Sequence, residues 1–237
     1  MQDRLGAALV AEAVGTFLFF FVGAGSVVVT VHAGDASPGL VGVALAHGLA
    51  LAVMVSAFGA ISGGHFNPAV TVAVRLAGRI EWSHAVMYVV AQLVGAIAAG
   101  LALRFVFPES SASEAALGTP ALGDGIGIGA GIAVEAVLTL LLVLTVFGTA
   151  VDARAPRLGG MAIGLAVAAD ILMGGPLTGA AMNPARWFGP AVASGTYDNW
   201  YVWWIGPLIG AIVAAVLYRY VFEGEAEPEV TPATPEG

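Results

Sequence analysis

The chain contains one nine-residue pattern twice: ISGGHFNPA at residues 61–69 and LTGAAMNPA at residues 177–185. Each copy ends in Asn-Pro-Ala and is followed by about ten mostly apolar residues before a glycine or polar break. Asparagine favours the capping position of a helix, and proline suits the first helical position, where its missing N–H costs nothing. We therefore predict that each box begins a short helix, at residues 67–77 and 183–193. Ten helical residues span roughly 15 Å, half the thickness of a bilayer's hydrocarbon core.

The composition indicates a membrane protein. Of the 237 residues, 59% are hydrophobic and 10% are charged, and the mean hydropathy is +0.91, whereas a soluble domain carries about 25% charged residues. Six apolar segments are long enough, or nearly so, to cross roughly 30 Å of hydrocarbon as helices. They are residues 5–31, 40–58, 85–107, 126–151, 158–173 and 200–222. We predict an all-α membrane protein with six transmembrane helices and two re-entrant half-helices.

The two halves of the chain repeat one another. QLVGAI at residues 92–97 matches PLIGAI at residues 207–212, and EAV occurs at both 12–14 and 135–137. Each half has three spans, an odd number, so the repeats lie in the membrane with opposite topology and meet near its midplane. We predict a single channel domain over residues 1–222, with repeats at about 5–107 and 126–222. We also predict an acidic, disordered cytoplasmic tail over residues 223–237, which contain five glutamates.

The arginines predict the orientation. With a cytoplasmic N-terminus, Arg104 is the one arginine on the outer side and Arg186 lies in a re-entrant segment, in line with the positive-inside rule. The remaining six lie on the inner side: Arg4, Arg75, Arg79, Arg154, Arg157 and Arg219. We therefore expect an integral multi-pass protein with both termini in the cytoplasm, and we predict the plasma membrane of a prokaryote.

The two boxes favour a pore. Irregular backbone at membrane depth must be buried in protein or line an aqueous cavity. Inversion brings both positive helix ends together, with the amide N–H groups of Asn67 and Asn183 facing the pore. A water that accepts from both turns its hydrogens outward, which interrupts proton hopping, and the positive ends repel cations. A single box is more often a helix cap without a pore role. The predicted pore centre is Asn67, Pro68, Ala69, Asn183, Pro184 and Ala185.

These motifs resemble the signature of the major intrinsic protein family, the aquaporins and glycerol facilitators, over residues 5–222. The resemblance implies an aquaporin-like right-handed bundle, assembled as a homotetramer with one pore per subunit. It implies passage of water and small neutral solutes, in contact with membrane lipid. With no cysteine and four scattered histidines, we expect no metal site and no cofactor. We expect no nucleic-acid partner either.

Arg186 directly follows the second box. An arginine in hydrocarbon costs roughly 2.5–3.5 kcal/mol on insertion scales, so it faces a wet lumen or, as the less favoured alternative, snorkels to the interface. The resemblance places His47, Ile171 and Ala180 with Arg186 in a selectivity constriction. This set is similar to that of the plant tonoplast-type aquaporins, which as a group also admit ammonia. By the same resemblance, strict water channels differ from this chain at two of these positions. They carry an aromatic residue where His47 stands and a histidine where Ile171 stands.

Further residues have two interpretations each. Glu12 and Glu135 lie inside spans, either as a proton relay or, as the resemblance suggests, as acceptors for the N–H groups of the re-entrant loops. His65 lies near the inner vestibule, where it ties the loop together or senses pH. His47 is either part of the constriction or a buried histidine bonded to a backbone carbonyl. Trp187 is bulkier than the small residue that usually follows the arginine in water channels of this family. The sequence therefore does not determine the size of the outer vestibule.

We predict a passive channel for water, with ammonia or other small neutral solutes as further candidates, that excludes protons and ions. One alternative is a glycerol or small-polyol facilitator, although such channels tend to carry aspartate where Trp187 stands. The other is a proton-coupled secondary transporter, suggested by Glu12, Glu135 and the inverted repeat. Nothing supports an enzyme: the sequence shows no nucleophile with a placed base and no phosphate-binding loop.

Overall fold

The computed structural model describes residues 2–152, 154 and 158–222. Within these ranges the chain forms nine α-helices and no strand. They are α1 Gln2–Ala33, α2 Gly39–Ser62, α3 Pro68–Leu76, α4 Trp82–Val106, α5 Glu109–Glu114, α6 Ile128–Val146, α7 Met161–Thr178, α8 Pro184–Ser194 and α9 Val202–Leu217. Two of them continue as π-helical turns, α6 over Phe147–Val151 and α9 over Tyr218–Phe222. The predicted acidic tail and Arg157 lie outside the described residues.

Six helices are long and apolar enough to cross a membrane: α1, α2, α4, α6, α7 and α9. The predicted six spans are confirmed, with one marked shift of boundary. The fifth span was predicted at residues 158–173, but α7 begins at Met161 and continues through Pro176 to Thr178. Its end is set by Gly179, a left-handed C-cap whose N–H donates to the Gly175 carbonyl at 2.9 Å. Proline is tolerated in such a span because neighbouring helices and polar side chains satisfy the freed backbone groups.

The two short helices begin where the boxes predicted. Proline occupies the start of both α3 and α8, and the box asparagine caps each of them. The segment between the repeats contains the short helix α5 and a tight turn after it. This outer segment reaches the interior of the bundle, where Leu117 is buried.

The repeats pack around an approximate two-fold relationship. Helix α1 packs against α2 and α4, and α6 packs in the same way against α7 and α9. The half-helices are exchanged: α3 packs on α9 of the second repeat, and α8 packs on α4 of the first. The remaining large contact joins α2 and α7. At this crossing, a Cβ atom added to Gly164 would lie 2.2 Å from the carbonyl oxygen of Gly48, so the close approach of the two helices requires glycine.

The loops that lead into the half-helices have matching backbone. Each has left-handed residues at the same three positions: Gly63, Gly64 and Phe66 in the first loop, and Gly179, Ala180 and Met182 in the second. A left-handed conformation outside glycine costs about 1–3 kcal/mol and persists where the surroundings impose it. Both loops must therefore be held by strong contacts.

The outward surface of the spans is apolar, as lipid contact requires. Large side chains such as Val10, Leu165 and Phe105 are exposed there. Two arginines bond backbone carbonyls at opposite ends of the bundle. Arg219 Nη1 donates to the Leu76 carbonyl at 2.9 Å at one end, and Arg104 Nη1 donates to the Ala193 carbonyl at 3.0 Å at the other. The protein is an integral multi-pass membrane protein.

Candidate functional site: a lumen between the half-helices

Two cavities follow one another through the bundle. The first, of about 110 Å³, has largely aliphatic walls and extends to Val74 and Val151, near the arginine-rich end. We call it the inner cavity. The second, of about 370 Å³, lies toward the outer segment and is the outer cavity. His47, Ile171 and Arg186 line both cavities, so they lie where the two meet, and Ala180 lines the inner one.

Both box asparagines cap their half-helices. Asn67 Oδ1 accepts from the Ala69 N–H at 2.8 Å. Asn183 Oδ1 accepts from the Ala185 N–H at 3.0 Å and from the Arg186 N–H at 3.3 Å. Both asparagines line the inner cavity. The N-terminal ends of α3 and α8, which carry partial positive charge, therefore meet beside the same lumen. Pro68, Ala69, Pro184 and Ala185 lie behind the asparagines as buried first-turn residues.

Each asparagine also holds the loop of the other repeat. Asn67 Nδ2 donates to the Met182 carbonyl at 2.9 Å, and Asn183 Nδ2 donates to the Phe66 carbonyl at 2.9 Å. A side-chain amide has two N–H donors. One N–H of each asparagine is therefore used between the repeats, and one remains for the lumen. The sequence predicted that the amide N–H groups of both asparagines face the pore. In the structure, one N–H of each bonds the other repeat instead.

Glu12 holds the first loop with both carboxylate oxygens. Oε1 accepts from Ser62 Oγ at 2.7 Å and from the His65 N–H at 2.9 Å. Oε2 accepts from the Phe66 N–H at 2.7 Å and from Gln92 Nε2 at 2.8 Å. These bonds satisfy backbone N–H groups at membrane depth, where no bulk water is present to accept from them.

Glu135 does the same for the second loop. Oε1 accepts from Thr178 Oγ1 at 2.6 Å and from the Ala181 N–H at 2.9 Å, and Oε2 accepts from the Met182 N–H at 2.7 Å. Gln92 of the first repeat corresponds to Pro207, which has no donor. The two carboxylates are therefore equivalent in position but differ by one hydrogen bond.

His65 is tied to its own half-helix. Thr71 Oγ1 donates to the Asn67 carbonyl at 3.0 Å and accepts from Gln92 Nε2 at 2.9 Å. The hydroxyl proton is thus in use, so His65 Nδ1, at 3.1 Å from the same oxygen, is the donor in their contact. His65 also lines the inner cavity. Two roles were predicted for His65, holding the loop in place and sensing pH. These contacts support the first.

Arg186 makes two bonds within the constriction. Its Nε donates to His47 Nε2 at 2.9 Å, and its Nη1 donates to the Gly118 carbonyl at 2.7 Å. His47 Nδ1 lies 2.9 Å from the Val43 carbonyl, and because Nε2 accepts, Nδ1 is the protonated nitrogen. The two interpretations of His47 therefore hold together: the ring is bonded to a backbone carbonyl and lines the lumen. Arg186 is 4% exposed, which rules out snorkelling.

Three supporting residues had no clear signal in the sequence. Gln92 bonds Glu12, and Gly118 bonds Arg186 from the outer segment. Trp203 Nε1 donates to the Thr178 carbonyl at 2.9 Å and its ring stacks on Trp187, with centroids 5.8 Å apart. Trp187 is buried in this stack and lines neither cavity. Its bulk therefore lies behind the outer vestibule and does not narrow it.

Six spans that enclose a lumen, with two half-helices meeting inside it, define a membrane channel. The model of the major intrinsic protein family matches residues 3–218, and the chain belongs to this family. The family resemblance deduced from the two boxes is thereby confirmed.

Individual relatives cover most of the chain. Aquaporin TIP4-4 of Zea mays is 44% identical over 232 residues, which are 95% of this chain and 90% of that protein. Aquaporin TIP2-1 of Arabidopsis thaliana is 43% identical over 227 residues, 93% of this chain and 89% of that protein. The X-ray structure of the aquaglyceroporin from Plasmodium falciparum superposes with a TM-score of 0.82 at 23% identity, covering 92% of this chain and 97% of that one. This last likeness concerns the fold.

Proposed function

We propose that the protein is a passive channel that conducts water in single file and excludes protons and ions. The observation that carries this proposal is the reciprocal bonding of Asn67 and Asn183, which holds two positive helix ends beside one lumen. Each asparagine has one N–H left for a water in the pore. A water oxygen that accepts from both directs its hydrogens outward, so the hydrogen-bonded chain is interrupted at this point.

In this proposal, four side chains of the constriction determine which solutes pass: His47, Ile171, Ala180 and Arg186. Three of the five guanidinium N–H groups of Arg186 remain after its bonds to His47 and Gly118. The lone pair of His47 Nε2 is occupied, and Ile171 is apolar. The side chains of the constriction thus offer donors and no open acceptor. Ammonia accepts hydrogen bonds strongly and donates them weakly, so this collar suits it, and we include ammonia among the solutes.

The proton-coupled transporter is less well supported. Such a mechanism needs an intramembrane acid that exchanges protons with the pathway. Both oxygens of Glu12 and of Glu135 accept from loop donors instead, and neither residue lines the inner or the outer cavity. A passive channel accounts for both carboxylates as loop supports.

Assembly and location remain predictions. A homotetramer follows from the family resemblance, and the arginines at one end of the bundle support cytoplasmic termini. The plasma membrane of a prokaryote remains our predicted location, while the relatives described above are plant proteins. Mass measurement of the protein in detergent tests the tetramer.

Purified protein in liposomes tests the function. We expect stopped-flow water flux that is linear in the osmotic gradient, has a low activation energy and exceeds that of empty liposomes. A pH dye inside the vesicles is expected to report ammonia entry but no proton entry. Flux that saturates and follows a proton gradient would contradict the channel. Water flux without ammonia-driven alkalinisation would remove ammonia from the proposal.

A further inference from the structure

The outer cavity combines a charged floor with apolar walls. Arg186 forms the floor, at the mouth shared by the two cavities, and the walls consist mainly of aliphatic side chains from three spans. We propose that the outer cavity binds small aliphatic oxyanions, that is, carboxylates or sulfonates with a short hydrocarbon chain. A bound anion blocks the channel from the outer side. This inference rests on the proposed channel function.

The floor is a buried cation with unused donors. Arg186 is 4% exposed and bonds two neutral acceptors, His47 Nε2 and the Gly118 carbonyl. Three of its five N–H groups remain, and within the described ranges no carboxylate forms an ion pair with it. Glu135 attracts Arg186 through its charge, but its oxygens are bonded by the second loop. A guanidinium binds an oxyanion through two parallel hydrogen bonds, which the unused donors can supply.

The walls match a short hydrocarbon chain. They include Val27 of α1, Leu40 and Val43 of α2, and Ile171 and Pro176 of α7. Among the described residues that line the outer cavity, none is an aspartate or a glutamate, so no like charge repels an anion inside it. Burying one methylene group of a ligand against such walls tightens binding about fourfold. An anion that carries a chain is therefore bound better than a bare inorganic anion.

The two volumes favour block over passage. The outer cavity, of about 370 Å³, lies within the range of roughly 300–1,000 Å³ typical of ligand pockets, whereas the inner cavity, of about 110 Å³, lies below it. A head group bonded to Arg186 occupies the mouth shared by the two cavities, through which water passes. We therefore expect the anion to stop there, with its chain in the outer cavity, and to close the path of water.

Exposed acids set the conditions for the test. Asp35 and Asp124 are exposed in the segments that follow α1 and precede α6, and they repel anions that approach from outside. The Debye length is about 8 Å at physiological ionic strength, so this repulsion is then largely screened. Binding is therefore measured at that ionic strength.

Water flux in liposomes tests the site. Ethane-, butane- and hexanesulfonate are applied to both faces of the vesicles, because a sulfonate stays ionised and does not cross the bilayer as a neutral acid. We expect the half-blocking concentration to fall about fourfold per added methylene. The matching alkyl methyl sulfones carry no charge and should block at least about tenfold more weakly. Equal block by sulfone and sulfonate, or block that is independent of chain length, would overturn the proposal. Empty liposomes correct for effects on the bilayer.

One pair of variants tests the floor. Arg186→Val removes the guanidinium, and we expect block, expressed as a fraction of the variant's own water flux, to weaken at least about tenfold. Arg104→Gln should stay as sensitive as the wild type, because Arg104 bonds the Ala193 carbonyl outside the lumen. Undiminished block in folded Arg186→Val would show that the anion binds elsewhere.

A second pair tests the walls and does not depend on the folding of the Arg186 variant. Leu40→Ala removes part of the wall and should weaken block by butanesulfonate about 2- to 5-fold. Leu45→Ala is the matched control, since Leu45 belongs to the same helix, is 49% exposed and lines neither the inner nor the outer cavity. Equal sensitivity of the two variants would contradict a chain held against α2.

The two proposals fail differently. Wild-type water flux above that of empty liposomes, without block by butanesulfonate, overturns the anion site alone. Vesicles that shrink in external butanesulfonate and then swell again through the protein would show passage of the anion and overturn the block. Wild-type flux no greater than that of empty liposomes overturns the channel function and, with it, this inference.

Discussion

Arg186 and His47 are bonded directly to each other where the two cavities meet, with Nε of the guanidinium 2.9 Å from Nε2 of the imidazole. The imidazole accepts this bond because its other nitrogen bonds the Val43 carbonyl. The pair joins α8 of the second repeat to α2 of the first. The mouth shared by the two cavities is therefore a contact between repeats, and its donors come from one side chain.

Removal of Arg186 is expected to weaken selectivity. Arg186→Val deletes the fixed positive charge and the donors of the constriction. We expect glycerol permeability to rise on the order of tenfold and cation leak to become measurable, with water flux retained. Vesicle shrinkage and swelling assays measure the permeability to glycerol and to cations. Arg104→Gln is the matched control, since it removes a charge whose contact is the Ala193 carbonyl outside the lumen. Equal selectivity in both variants would contradict the assignment.

Asn67→Asp separates helix capping from proton exclusion. A carboxylate caps a helix as well as the amide does, so α3 should form. It cannot donate to the Met182 carbonyl, however, and it places a negative charge beside the helix ends. We expect proton flux, read by an internal pH dye, to increase on the order of tenfold while water flux persists. Asn199→Asp, in the turn before α9, should behave like wild type. If Asn67→Asp excludes protons as well as the wild type does, the barrier to protons does not lie at the asparagine pair.

The two loop carboxylates should differ in their effect on stability. Glu12→Gln turns one acceptor oxygen into a donor group facing donors, and unsatisfied buried donors cost about 1–3 kcal/mol each, so we expect a loss of about 2–5 kcal/mol. Glu135→Gln should cost less, because it has no partner equivalent to Gln92. Thermal unfolding in detergent, followed by tryptophan fluorescence, measures both midpoints against exposed Glu114→Gln. Undiminished stability together with lost proton-dependent flux would favour a proton relay.

The combined change His47→Phe and Ile171→His tests the choice of solute. It replaces His47 by an apolar aromatic ring and introduces a polar ring on α7, while Arg186 Nε loses its acceptor. We expect the ammonia-to-water permeability ratio to fall on the order of tenfold, because an open acceptor again favours water. Each single change serves as a control for the other. If the double variant keeps the wild-type ratio, these residues do not form the selective collar.

The sequence by itself determined the spans, the half-helices and the family. Span number follows from the length of apolar runs, and the start of each half-helix follows from asparagine and proline at adjacent positions. These are local properties, carried by neighbouring residues. The inverted repeat was equally visible, because the same short motifs recur in both halves. The boundary of α7 was missed, since Gly174-Gly175-Pro176 signals a break locally and packing carries the helix through it.

Only the tertiary structure decided which groups meet in the lumen. Arg186 bonds residues 68 and 139 positions away, Gly118 and His47, and Asn67 bonds a carbonyl 115 positions away. The direction of Trp187 depended likewise on its stack with Trp203. Such pairings arise when α8 packs on α4 and α3 packs on α9. No local pattern encodes them, because a hydrogen bond across a bundle depends on the relative position of helices that are distant in sequence.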